Sequence, residues 1–185
     1  MESKTTTTRI LNVLQVLSWI IFLGLCVEAG SILFHVIYTY AYNPANDTYP
    51  FWKGTDLTSL YNYGFSHFVA MVSLMVIVTV FKALIFYLIV KLFTEKQLNM
   101  MQPFNTALRQ FLLHTAYLST AIGLCAHFGY KYYTWLSAQN VALPDVAAMH
   151  ITGGDVWLFM AVILFVIVQI VARGVEIQTE NDLTV

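Results

Sequence analysis

Four long apolar stretches separated by polar ones set the pattern along this chain, over residues of about 10–42, 66–91, 110–135 and 155–173. Each reaches or approaches the roughly 20 residues that an α-helix needs to cross a hydrocarbon core. None alternates apolar and polar residues with period two, so the strands of a closed barrel are not expected. Backbone groups in lipid find partners only within their own segment, which leaves helices. The pattern predicts an all-α polytopic membrane protein, a single four-helix transmembrane bundle over residues 1–185. The pieces between are two loops (about 43–65 and 136–154), a connection at about 94–109 and a tail at 174–185.

Lys4 and Arg9 ahead of the first stretch resemble the charged start of a secretion signal. The apolar run that follows is too long for one. In Leu23-Gly24-Leu25-Cys26, Leu25 stands where a lipoprotein signal wants a small residue. The stretch therefore reads as a retained span.

Composition sharpens this picture. Apolar residues make up 58% of the chain and charged residues 10%, against about 25% charged in soluble domains. The mean hydropathy is +0.68, and a chain of this size cannot hide that excess from water in its own core. A formal net charge of -1 leaves no basic field for direct nucleic-acid binding. Basic residues are uneven across the spans. Lys4, Arg9, Lys91, Lys96, Arg109 and Arg173 fall on one side, Lys53 and Lys131 on the other, and Lys82 within a span. The positive-inside rule makes both termini cytoplasmic, an N-in/C-in topology. Cys26 and Cys125 lie in apolar runs without CxxC spacing and read as buried free thiols.

Ionisable groups inside spans are the best functional pointers, since each costs at least about 2.5 kcal/mol at mid-bilayer unless paired or hydrated. Counting about 1.5 Å per residue from the basic markers places Glu28, His127 and Asp155 in one layer, roughly 27–28 Å up. Gly24, Glu28, Ser31 and His35 share one helical face, as do Thr120, Gly123, His127, Lys131 and Thr134. Small residues on both faces favour close approach, so a Glu28–His127 contact is expected. Lys82 comes out roughly 13 Å above Lys91, too deep for Glu28. Its expected neighbours are Gln15, Ser18, His114, Tyr117 and Gln169, with snorkelling toward the nearer surface as the competing reading.

The first loop is rich in aromatic residues (Tyr49, Phe51, Trp52, Tyr61 and Tyr63) and reads as an interfacial belt, or else as a lid or a surface for lipid or peptide. It holds the glycosylation-type triplet Asn46-Asp47-Thr48, a pattern common by chance. Gly153-Gly154-Asp155 suits the start of the fourth helix, and Pro103 suits a first helical turn. No phosphate loop, nucleophile elbow or carboxylate pair appears, so no catalytic residue, cofactor or metal is expected. Of the histidines, His35, His67, His127 and His150 fall toward the outer side and His114 toward the inner. They lack the pairs that a two-haem cytochrome needs, which leaves a single outer haem or metal site as the weakest reading.

The terminal run Arg173-Gly174-Val175-Glu176-Ile177-Gln178-Thr179-Glu180-Asn181-Asp182-Leu183-Thr184-Val185 resembles the end of a bacterial membrane family, the domain of unknown function family numbered 2975. The Leu98-Asn99 and Pro103-Phe104 pairs are similar too. The resemblance implies a multi-pass protein of the bacterial cytoplasmic membrane. It also implies, by association only, a helix-turn-helix regulator as cytoplasmic partner beside the membrane lipids. It supplies no activity. A non-enzymatic sensing or relay protein is the expected function. A small ion-coupled transporter using Glu28 and Lys82 is the alternative, with a haem or metal carrier behind it. The candidate functional polar residues are Glu28, Lys82, His127, Asp155, His35 and His114.

Overall fold

The computed structural model describes residues 2–38, 56–95 and 104–182. They form α1 (Glu2–Ile37), α2 (Thr58–Tyr63), α3 (Phe65–Thr94), α4 (Thr106–Ala138) and α5 (Gly154–Asp182), with no strand among the described residues. Four of the five are long and apolar enough to cross a membrane, over Arg9–Phe34, Phe65–Thr94, Thr106–Ala138 and Gly154–Glu180.

Local chemistry sets the ends. Asn105 caps α4 by accepting from the Leu108 N–H at 2.7 Å, which satisfies one of the free donors of a helix start. The first turn thus begins at Thr106, after Pro103 rather than at it, and Pro103 itself lies outside the described residues. At the other end of α4, Asn140 takes φ 61°. The Val141 N–H then donates to the Leu136 carbonyl and the Asn140 N–H to that of Ser137. Those paired bonds, with Val141 packed beside Leu136 in one cluster, make a Schellman stop. The short helix α2 lies inside a segment expected as loop. Asp56 accepts from the Thr58 N–H at its start, and Leu60 is fully buried.

The helices pack in series: α1 on α3, α3 on α4 and α4 on α5, with α2 on α3. Among the described residues no other pair of helices makes close backbone approach, so the expected bundle is open rather than closed on itself. Burial follows that order. The apolar window of α3, held on two sides, is 44% buried, whereas that of α1 is 6% buried. The bare outer faces of α1 and α5 suit lipid, which provides the apolar surroundings that a second protein layer provides in water.

Two clusters fill the seams. One joins Val78, Ile85 and Ile122 midway along α3 and α4, with Trp157 of α5 against it. The larger sits at the loop end and includes Phe68, Met71 and Met75 of α3 with Leu136 of α4. Into it the 139–153 connection folds back, burying Val141, Met149 and Ile151. Tyr133 donates to the Pro144 carbonyl at 3.0 Å and holds the fold-back in place. Three successive i→i+3 bonds tighten it from Asp145 to His150.

Among the described residues one buried side-chain atom lacks a partner. Thr79, Thr115 and Thr120 each return their hydroxyl to the carbonyl four residues back, but fully buried Ser119 has no partner for Oγ. An unmade bond forfeits the desolvation cost of the group. Ser119→Ala is therefore expected to leave thermal unfolding in detergent unchanged or to stabilise by about 1 kcal/mol. A clear loss of stability would mean that Ser119 does hold a partner.

Candidate functional site

The fold-back ends on His150, and this residue organises the polar interior. Its backbone takes φ 57°, a region that histidine visits more often than most side chains but still uncommonly. His150 Nδ1 stands 2.7 Å from Glu28 Oε1 of α1, both side chains about three-quarters buried. The His150 carbonyl accepts a long hydrogen bond, 3.4 Å, from Lys82 Nζ of α3. Lys82 also lies close enough to Glu28 for their charges to attract. One residue of the connection thus ties α1 to α3, through a carboxylate on one side and an ammonium on the other.

This differs from the expected pairing in three ways. Glu28 meets His150 and not His127. Lys82, expected too deep for Glu28, shares its site, because the connection descends to meet both. Lys82 makes its hydrogen bond to His150 and to none of Gln15, Ser18, His114, Tyr117 and Gln169; His114, Tyr117 and Gln169 are exposed, and the Ser18 hydroxyl bonds to the Leu14 carbonyl. His35 lies on α1, with its side chain outside the described residues. Cys26 is exposed and not buried, and both cysteines are free.

His127 and Asp155 do come together, but on the outer surface of the α4–α5 pair. With Tyr130, Thr152, Gly153 and Gly154 they line a cleft of about 350 Å³, and both side chains are exposed. The approach of the two helices beneath it depends on glycine. A Cβ on Gly154 would lie 2.8 Å from the His127 nitrogen and 3.0 Å from the Gly123 carbonyl oxygen, and one on Gly123 would lie 2.6 Å from Leu158. The small-residue face expected of the third span is thus used. On the corresponding face of the first span Gly24 meets open space.

The far end of the α4–α5 pair is pinned in the same manner. The Phe104 ring lies directly over Gly174, where a Cβ would stand 2.7 Å from the ring. Asn105 and Phe104 thereby tie the start of α4 to the start of the tail. The tail continues α5 as helix to Asp182, with Arg173 paired to Glu176 at 2.7 Å.

The remaining histidine of the loop end belongs to a ring cluster. His67 Nδ1 hydrogen-bonds Tyr132 Oη, and its ring adjoins Tyr63 at 5.3 Å and Trp135 at 5.7 Å. Tyr61 packs edge-on to Phe68 at 5.5 Å. The other aromatics of the first loop, the Asn46-Asp47-Thr48 triplet and the Leu98-Asn99 pair lie outside the described residues. Among the described residues no group of three or more His, Cys, Asp or Glu is placed to hold a metal ion.

Depth counted along the spans does not select His150, which lies in a connection between them. The usable signal was the apolar content of its connection, where Val141, Leu143, Val146, Met149 and Ile151 are too hydrophobic for a segment left in water.

The chain belongs to a family described as "Protein of unknown function (DUF2975)", whose model matches residues 46–185. No curated protein and no solved structure matches it.

Proposed function

We propose that this family member is a non-enzymatic relay protein of the bacterial cytoplasmic membrane, with both termini in the cytoplasm. The observation that carries the reading is the 2.7 Å Glu28–His150 contact with Lys82 on the His150 carbonyl. It is a polar latch that joins the fold-back to both α1 and α3. The loosely packed α1 meets the rest of the chain mainly along α3, so the latch controls how the fold-back sits against it. The fold-back leads within four residues into Gly154, where α5 is wedged against α4.

A change at the latch therefore reaches a stiff helix pair, glycine-packed at both ends, whose far end carries Phe104 and the tail. Interfaces of this kind switch between discrete packings and do not deform continuously. On this reading the cytoplasmic partner, a regulator by family association, binds the tail.

The test is recovery from native membranes in mild detergent, comparing the full chain with one lacking residues 174–185 and with Glu28→Gln. The expected result is a cytoplasmic protein that co-purifies with the full chain and is lost without the tail. With Glu28→Gln its recovery should change by about threefold or more, since a partner reading two packings responds to a shift of about 0.7 kcal/mol between them. Absence of any partner from all three samples would overturn the relay. An ion flux in proteoliposomes that Glu28→Gln abolishes would replace it with transport.

A further inference from the structure

We propose that the cleft between α4 and the start of α5 binds the headgroup of a phospholipid that carries both a phosphate and a primary ammonium. The inference depends on the chain spanning a membrane, and not on the relay reading.

Position comes first. At 33 residues, α4 is about 50 Å long, well beyond the 30 Å of a hydrocarbon core. His127 lies 11 residues before its end at Ala138, or about 16 Å back along the axis. Gly154, where α5 begins, packs against the His127 backbone. Counted from the basic residue near the opposite end of each helix, His127 lies 18 residues from Arg109 and Asp155 18 residues from Arg173, about 27 Å in both cases, which sets the cleft near the boundary between headgroups and acyl chains. The exposed residues agree with that level. One turn deeper on the same two helices, Leu124 is 45% exposed and Phe159 68% exposed. Polar groups thus sit directly above apolar ones on the lipid-facing surface, in the order in which a phospholipid presents its own.

The chemistry of the lining selects among headgroups. His127, Tyr130, Thr152 and Asp155 all line the cleft, and none makes a side-chain hydrogen bond among the described residues. The imidazole and the two hydroxyls supply N–H and O–H donors to phosphate oxygens. Asp155 is the one carboxylate of the lining, which holds no lysine or arginine. It repels a headgroup that is only anionic and attracts a cation beside the phosphate. A primary ammonium gives a carboxylate up to three hydrogen bonds, whereas a quaternary ammonium gives none. The cavity of about 350 Å³ is large enough for a headgroup and too small for a whole lipid, whose chains would continue over Leu124 and Phe159.

Native mass spectrometry of the full chain in detergent tests this, with phosphatidylethanolamine, phosphatidylcholine and phosphatidylglycerol of identical acyl chains titrated separately. The ethanolamine lipid should bind at about tenfold lower concentration than the other two, the worth of one charge-assisted hydrogen bond. Asp155→Asn should erase that preference while size exclusion and helical circular dichroism stay unchanged. Thr152→Val, which leaves the first turn of α5 unaltered, should weaken the ethanolamine lipid without restoring the choline one. Equal binding of the three lipids, or a preference that survives Asp155→Asn, would overturn the proposal. If Asp155 served only the start of α5, its replacement would lower stability in lipid-free detergent and leave lipid preference intact, which also overturns it. Recovery of a cytoplasmic partner through the tail is a separate readout and stands or falls alone.

Discussion

Glu28→Gln is expected to destabilise the protein by about 2–3 kcal/mol, and His150→Ala in the same background to add far less than it does alone. The reason is the asymmetry of buried charge. Glu28 and His150 are 24% and 23% exposed at their side chains, so most of their hydration is lost on folding. The carboxylate offsets that loss for the imidazole and, through its charge, for the Lys82 ammonium. Without it, the Lys82 amine is left with one long bond to a backbone carbonyl. Removing one partner of a fully buried pair costs about 3–5 kcal/mol, and the partial exposure here lowers the expectation. Lys82→Met in the Glu28→Gln background should then recover part of the loss, because the stranded ammonium goes with it. Equilibrium unfolding in mixed micelles measures the four variants against the parent. Strict additivity across the Glu28–His150 cycle would mean that the contact contributes nothing and that the latch is not a unit.

Much of this architecture was legible in the sequence, and the parts that were not share one cause. Long apolar runs announce helices because lipid leaves the backbone no other arrangement, and the four long helices follow. Gly153-Gly154-Asp155 marked the start of α5, since that helix begins at Gly154. Partnership in the interior was harder to read. Counting along helices gives depth but no rotation, so Glu28 and His127 shared a layer without facing each other. It also treats each loop as lying outside. The 139–153 connection instead descends into the core on Met149 and Ile151, bringing His150 to a depth that no span count assigns to it. The open series of helices was hidden for a related reason. Lipid satisfies an apolar face as well as another helix does, so hydrophobicity alone does not say which faces meet.

Glycine shows the same limit as a difference in sign, and gives the second large effect. Gly154→Ala is expected to destabilise by about 3 kcal/mol, near the upper range for overpacking. Gly24→Ala should be neutral or stabilise by about 0.5–1 kcal/mol. Both glycines lie in long apolar helices, and the substitution adds the same methyl group. At Gly154 that methyl meets backbone on both sides, the His127 nitrogen at 2.8 Å and the Gly123 oxygen at 3.0 Å. No side-chain rotation relieves such a contact, so α4 and α5 must separate. At Gly24 nothing lies within 4 Å, and alanine gains its better helix propensity against lipid. Gly123→Ala should fall between, because its closest contacts are with the Leu158 side chain, which can partly yield. Thermal unfolding in detergent ranks the three. A Gly154→Ala protein as stable as the parent would show that the α4–α5 seam yields where it is drawn as stiff. It would remove the element through which a change at Glu28 and His150 is proposed to reach Phe104 and the tail.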